Sequence, residues 1–255
     1  MTTFFDLIRS HQSFLLTGHE RPDGDCVGAQ AALSQLLCLM GKTVHIVNPD
    51  PLTQGFDFLT EHTTFTTSPA TEELPDFDVA VLLDCSQLSR VGSLGKRIAS
   101  RNKPIAVIDH HVGSENGDGC VSYVDVSAAA TGALVRRLFA EFDVELTLPA
   151  AEGIFLSLVS DTGWFCYSNA NEEVFSMAAE LVALGVDSLL PSGWWALALP
   201  FRALALGEPA LLAVGRGEGC GVLAVECGVA LLRGLEAPKL LQLRCRDAPF
   251  QCGAG

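Results

Sequence analysis

The sequence predicts an α/β domain: an open, mostly parallel sheet with helices on both faces. Two observations carry this. Short apolar or β-branched runs alternate with longer Ala- and Leu-rich stretches across residues 1–188, the pattern of successive strand–helix units. Two of the short runs, Asp78–Leu83 and Pro104–Ile108, are close to continuously apolar, as expected of parallel strands covered on both faces.

The elements follow in order. Phe14–Thr17 is a first strand, followed by a polar loop and a helix over Gly28–Met40, with Gly41 as its stop. Thr43–Val47 is short and β-branched, a second strand. The runs at 78–83 and 104–108 add two more strands, and helices are expected near 128–142, 148–160 and 171–184. A boundary falls near Leu184-Gly185. From Pro191 onward the chain has no Thr, Ile, Asn, His, Tyr or Met, so residues 189–255 are expected to form a separate, atypical region. Within it a strand at Gly221–Glu226 and a helix near Leu231–Leu243 are the readable elements.

Bulk properties exclude some functions. The formal charge is −14, from 16 basic and 30 acidic residues, which repels long polyanions and argues against a processive nuclease. A small phosphorylated substrate is compatible with it, because bound divalent cations reverse the local field. No apolar run reaches membrane-spanning length before the C-terminal third, and the N-terminus lacks the features of a signal peptide, so no membrane partner is expected. The 9 cysteines include no C-x-x-C pair. Free thiols in a reducing compartment, the cytoplasm, are expected. Cys26 and Cys85 neighbour the candidate ligands, where oxidation would disturb the site.

The chemistry sits at the ends of the apolar runs. His19-Glu20-Arg21-Pro22-Asp23-Gly24-Asp25 follows the first strand, and its imidazole and carboxylates suit a hard or borderline divalent cation. Gly24 is expected to let this loop turn tightly, so that both carboxylates face one side. Asp84 ends the run at 78–83, and Asp109-His110-His111 ends the run at 104–108. Asp161-Thr162-Gly163 ends a helical stretch, and Thr131-Gly132 opens another beside the site. A lone strand-end Asp is usually a turn or cap residue, and a lone His is usually structural. Several such clusters at the ligand-binding edge of a parallel sheet argue for a shared site.

In order, His19-x-x-Pro22-Asp23-Gly24-Asp25, Asp84-Cys85-Ser86, Asp109-His110-His111 and Asp161-Thr162-Gly163 resemble the motifs of the DHH phosphoesterase superfamily. Their spacing is most similar to the branch of bifunctional oligoribonucleases that also dephosphorylate 3′-phosphoadenosine 5′-phosphate. The resemblance covers roughly residues 5–190. It implies two divalent cations, with manganese favoured over magnesium by the mixed His and carboxylate donors. It also implies that His19 and Asp23 hold one ion, that Asp25, His110 and Asp161 serve the other, and that Asp84 bridges them. His111 would lie beside the scissile phosphate, with Asp84 and His111 as the catalytic pair. The partner would be short RNA or a nucleotide, and a homo-oligomer is compatible with the sequence.

The family branch carries a C-terminal substrate-binding domain with a glycine-rich, histidine-bearing motif. No histidine follows His111 here, so a replaced, degenerate or frame-shifted C-terminal region is expected. The competing expectations are a metal- or nucleotide-binding remnant with little turnover, and a phosphodiesterase for cyclic or linear dinucleotides.

Overall fold

The computed structural model describes residues 3–53, 55–68, 73–113 and 120–187, together with the backbone of 210–212 and 223–225. The chain divides into two compact units, Met1–Pro191 and Ser192–Gly255.

The first unit is built on a six-stranded sheet. Its strands are β1 (Ser13–Thr17), β2 (Thr43–Asn48), β3 (Phe65–Thr67), β4 (Val79–Leu83), β5 (Ile105–Asp109) and β6 (Val121–Val124). They run in the order β3-β2-β1-β4-β5-β6, and every ladder is parallel. The expected parallel sheet is therefore present. Its helices are α1 (Phe4–Ser10), α2 (Gly24–Leu39), α3 (Gly92–Ser100), α4 (Thr131–Glu141), α5 (Leu148–Asp161) and α6 (Glu172–Ala183).

Strand alternation divides the sheet's side chains between two helical layers. Leu15, Ala80, Leu82 and Val107 pack with Leu94 and Ile98 of α3 and with Val91. The opposite face meets α2 across β1, β2 and β4, and meets α4 at β5. α2 in turn packs along α5, and α5 against α4 and α6. This makes α2 a central helix, buried on nearly every side, from Asp25 through Ala29 and Leu33 to Leu37, as an apolar helix without a polar face must be. Each fully buried Leu or Ile in these layers contributes roughly 1.5–3 kcal/mol.

Small residues let α2 and α5 approach. A Cβ on Gly28 would lie 2.3 Å from the Gly153 carbonyl oxygen, and one on Gly153 would lie 2.6 Å from that of Gly28. The crossing brings the start of α2 and the end of α5 to the same edge of the sheet.

Among the described strands and α-helices of this unit, four went unread in the sequence: α1, α3, β3 and β6. β3 and β6 have no fully buried residue, so no apolar run marks them. α1 stacks Phe4 on Tyr123 of β6, with ring centroids 5.4 Å apart, and covers an edge that would otherwise be open.

In the second unit, β7 (Ala210–Leu212) and β8 (Leu223–Val225) pair antiparallel. The expected strand at 221–226 contains β8. The expected helix near 231–243 and most of the glycine-rich stretch 113–119 lie outside the described residues.

Candidate metal centre

The sheet order reverses between β1 and β4, which leaves a crevice beyond their C-terminal ends. His19 follows β1 and Asp84 follows β4, so the two flank that crevice. Asp84 adopts a left-handed backbone, φ 60°, a conformation that Asp tolerates better than most residues. Its N–H continues the ladder to the Ile108 carbonyl at 3.0 Å. The turn therefore starts at the site itself, with Asp84 almost fully buried.

Asp84 presents its two oxygens to different neighbours. Oδ2 lies 3.2 Å from His19 Nε2. Oδ1 lies 3.5 Å from His111 Nδ1 and 3.8 Å from His110 Nε2, and accepts from the Thr131 hydroxyl at 3.4 Å. A carboxylate between two sets of donors has the geometry of a bridging ligand.

Both ligand-type imidazoles are anchored through Nδ1. His19 Nδ1 lies 2.9 Å from the Glu20 carbonyl, and His110 Nδ1 lies 3.2 Å from the Ala128 carbonyl. A carbonyl can only accept, so Nδ1 carries the proton and Nε2 is left to ligate. His110 Nε2 has Asp161 Oδ2 at 3.0 Å and Asp25 Oδ2 at 3.3 Å. It makes no well-directed hydrogen bond to either, although it is buried.

The first carboxylates are arranged differently from the expected loop. Asp23 is the N-cap of α2, with Oδ1 accepting from Asp25 N–H and Cys26 N–H, both at 3.1 Å, and Asp25 already lies in the first helical turn. The helix thus begins at Gly24, four residues before the expected start, because Asp23 caps it. Gly24 does not serve a tight turn: a Cβ there would meet the Ser160 Cβ at 2.9 Å. Asp25 is fully buried and accepts from Thr131 N–H at 2.9 Å and Gly132 N–H at 3.2 Å. These are the first amides of α4, where the helix dipole favours an anion.

The electrostatics are those of crowded acids. Burial, then the charge of Asp25, pushes Asp84 up to about 7 against the hydrogen bond from His19. Burial opposes the charged form of His110, but the Asp161 and Asp25 carboxylates override it and raise the ring to about 11. Burial also raises Asp161. For Asp25 burial is outweighed by His110, Ser157 and Thr131, which lower it. Protons on imidazole here do what a cation would do: they offset the packed carboxylates. Ligating groups must shed those protons when a metal binds.

In each of three sets the donor atoms lie within 4.8 Å of one another: His19, Cys26 and Asp84; Asp84, His110 and His111; and Asp25, His110 and Asp161. Cys26 fits poorly as a ligand. Burial, then the nearby Asp84, raises its thiol well above the ordinary range, so it stays protonated. Asp23 Oδ1 lies 3.9 Å from His19 Nε2, and its other oxygen, free of the capping bonds, is the better donor. Cys85 is buried with its thiol at about 12, first through burial. Neither cysteine has the exposed, low-pKa character that oxidation requires.

All seven residues singled out in the sequence, His19, Asp23, Asp25, Asp84, His110, His111 and Asp161, therefore meet at one edge. The donor set of imidazoles and carboxylates fits divalent cations. The sequence placed Asp109 in the Asp109-His110-His111 motif without giving it a role, and did not single out Ser157. Asp109 holds His111 through Nδ1 at 2.7 Å and caps the backbone amides of His110 and His111 at 2.8 and 3.2 Å. This hydrogen bond is the first cause of a raised His111 pKa. Ser157 sits inside an apolar helix, and nothing in its surroundings marked it.

A doubly wound α/β domain with a His/Asp cluster at its switch point defines a class of metal-site proteins. Within that class the model of the DHH family, N-terminal domain, matches residues 13–186, and the chain belongs to that family. The bifunctional oligoribonuclease and PAP phosphatase NrnA of Thermus thermophilus is 33% identical over 168 residues, 66% of this chain and 49% of that protein. Its namesake in Mycoplasma pneumoniae is 30% identical over 166 residues, 64% of this chain and 50% of that protein. An exopolyphosphatase-related protein from Bacteroides fragilis shares the fold with a TM-score of 0.67 at 23% identity, covering 72% of this chain and 56% of that one. The chain spans about half the length of the curated relatives it matches. The motif resemblance is borne out. No helix among the described residues is long and apolar enough to cross a membrane.

Proposed function

We propose that this chain is a two-metal phosphoesterase acting on short oligoribonucleotides or on 3′-phosphoadenosine 5′-phosphate. The observation that carries the reading is the split of Asp84, with one oxygen toward His19 and the other toward His110 and His111. His19 and Asp23 would hold one divalent cation, and Asp25, His110 and Asp161 the other, with Asp84 shared between them. Manganese suits the mixed imidazole and carboxylate donors better than magnesium does. The similarity to the two NrnA relatives supports this substrate class.

Two cations held there would supply an activated water and neutralise charge on the phosphoryl oxygens. The rest of the work falls to the chain. Buried donors hold Asp25 and Asp84, which would keep their oxygens oriented toward the cations. Asp109 fixes the His111 ring and stabilises its protonated form. His111, half-exposed, is then placed to donate a proton to the leaving alkoxide or to a phosphoryl oxygen. The buried, unreactive thiols of Cys26 and Cys85 are compatible with a cytoplasmic setting.

His111→Gln is the test of this assignment. The expected outcome is a loss of about 10²-fold or more in turnover on a dinucleotide, with manganese content unchanged. Unaltered turnover at unaltered metal content would remove His111 from the chemistry. Release of inorganic phosphate from 3′-phosphoadenosine 5′-phosphate, against release of mononucleotide from the dinucleotide, separates the two substrates. Metal binding with neither product would favour a remnant without turnover.

A further inference from the structure

The two halves of the cluster are built differently. Around Asp25 the hydrogen bonds from Ser157, Thr131 and Gly132 are all buried. Ser157 Oγ–H donates to Asp25 Oδ1 and accepts from Gly132 N–H at 2.8 Å. Thr131 N–H and Gly132 N–H also donate to the carboxylate, at 2.9 and 3.2 Å. Asp25, Thr131 and Ser157 each have 0% of their surface exposed. A Cβ at position 132 would lie 2.2 Å from Ser157 Oγ, so the glycine is what admits the hydroxyl. The carboxylate cannot rotate without leaving the Ser157 hydroxyl and the Thr131 N–H unpaired, which buried polar groups resist.

Around Asp23 the reverse holds. Its side chain is 54% exposed, and the nearest imidazole nitrogen is 3.9 Å away. Among the described residues, only the first amides of α2 donate to its side chain.

We infer that Ser157 is a positioning residue for metal binding, and that it makes the Asp25–His110–Asp161 half the tighter cation position, filled first. This rests on the metal-cluster reading above. A ligand already locked in its binding orientation loses little conformational freedom when the ion arrives, and hydrogen bonds behind ligands commonly govern affinity. Ser157 itself touches neither ion nor substrate.

Manganese titration of the metal-free chain, followed by calorimetry and by the paramagnetic resonance of free ion, resolves the two binding steps. The wild-type chain is expected to bind two ions with distinct affinities. Ser157→Ala and Ser157→Cys should each weaken the tighter step about tenfold or more and leave the weaker step in place. Asp23→Asn should shift only the weaker step. Cysteine nearly preserves the volume of serine but lacks its strong O–H donor, so it remains informative if the alanine variant does not fold. A purely packing role would leave Ser157→Cys at wild-type affinity, and that result would overturn the inference. So would a shift of the tighter step in Asp23→Asn. A wild-type chain that binds no manganese would bring down the metal-cluster reading and this inference together. Two ions bound with indifferent Ser157 variants would bring down only the inference.

Discussion

The two helical layers on the sheet are made from different material. On one side, α3 packs Leu94 and Ile98 onto Leu15, Ala80, Leu82 and Val107, an ordinary aliphatic contact with no chemistry in it. On the other, α2 meets α5 through Gly28 and Gly153 and carries buried Asp25, Gln30 and Ser34. The α2 layer gives up side-chain volume for closeness, and closeness is what brings Asp25, Ser157 and Asp161 to one point. The α3 layer has only to stay folded. Substitutions in the two layers should therefore fail in different ways.

The largest effect is expected where backbone meets backbone. Gly28→Val should destabilise the unit by about 3 kcal/mol or more, because its Cβ would meet the Gly153 carbonyl at 2.3 Å and a backbone oxygen has nowhere to move. Metal binding should fall with it. Retained manganese stoichiometry in this variant would show that the site does not depend on the α2–α5 crossing. Leu94→Ala, in the other layer, should cost about 2–4 kcal/mol in urea unfolding and leave turnover per folded molecule unchanged. An equal loss of turnover would break the division between a supporting layer and a chemical one.

A smaller effect is expected from Gln30→Leu. Gln30 and Asn48 exchange amide hydrogen bonds of 2.9 and 2.8 Å in the buried space behind Cys26. Removing one amide strands the other, for about 1–3 kcal/mol. An unchanged denaturation midpoint would indicate that Asn48 finds a new partner.

The first strand, the crevice-lining turns and six of the ligand-type side chains were legible in the sequence because apolar runs ended abruptly in Asp and His. The start of α2 was not. A helix that begins at a metal-type aspartate has its first turn written in polar residues, Gly24-Asp25-Cys26, which read as loop. α3 was unread for a similar reason: GSLGKRIAS holds two glycines and only a narrow apolar stripe. Ser157 left no trace, since one hydroxyl inside the run Gly153–Val159 looks like any small residue at a helix crossing. Its role depends on a partner 132 positions away in the chain, a distance that no local pattern spans.

The smallest effect lies on the surface, beside β6. Hydrogen bonds from Ser127, then Arg137, hold Asp125 down at about 2, below the usual 3.8. The folded state thus binds this proton less readily than the unfolded chain. The stabilisation is fully present above about pH 4 and is lost as pH falls from 3.8 toward 2. Arg137 also forks onto Glu173; because both contacts are solvent-screened, Arg137→Ala should change stability at neutral pH by only about 1 kcal/mol. That difference should shrink in acid, as followed by thermal melts across the pH series.

The most direct measurement compares wild type and Asp84→Ala after chelation and refilling with manganese, recording ions bound per chain and hydrolysis of a dinucleotide. A bridging Asp84 predicts two ions and hydrolysis in the wild type, and at most one ion with no hydrolysis in the variant. Two ions and full hydrolysis in Asp84→Ala would contradict the shared-carboxylate site on which the account depends.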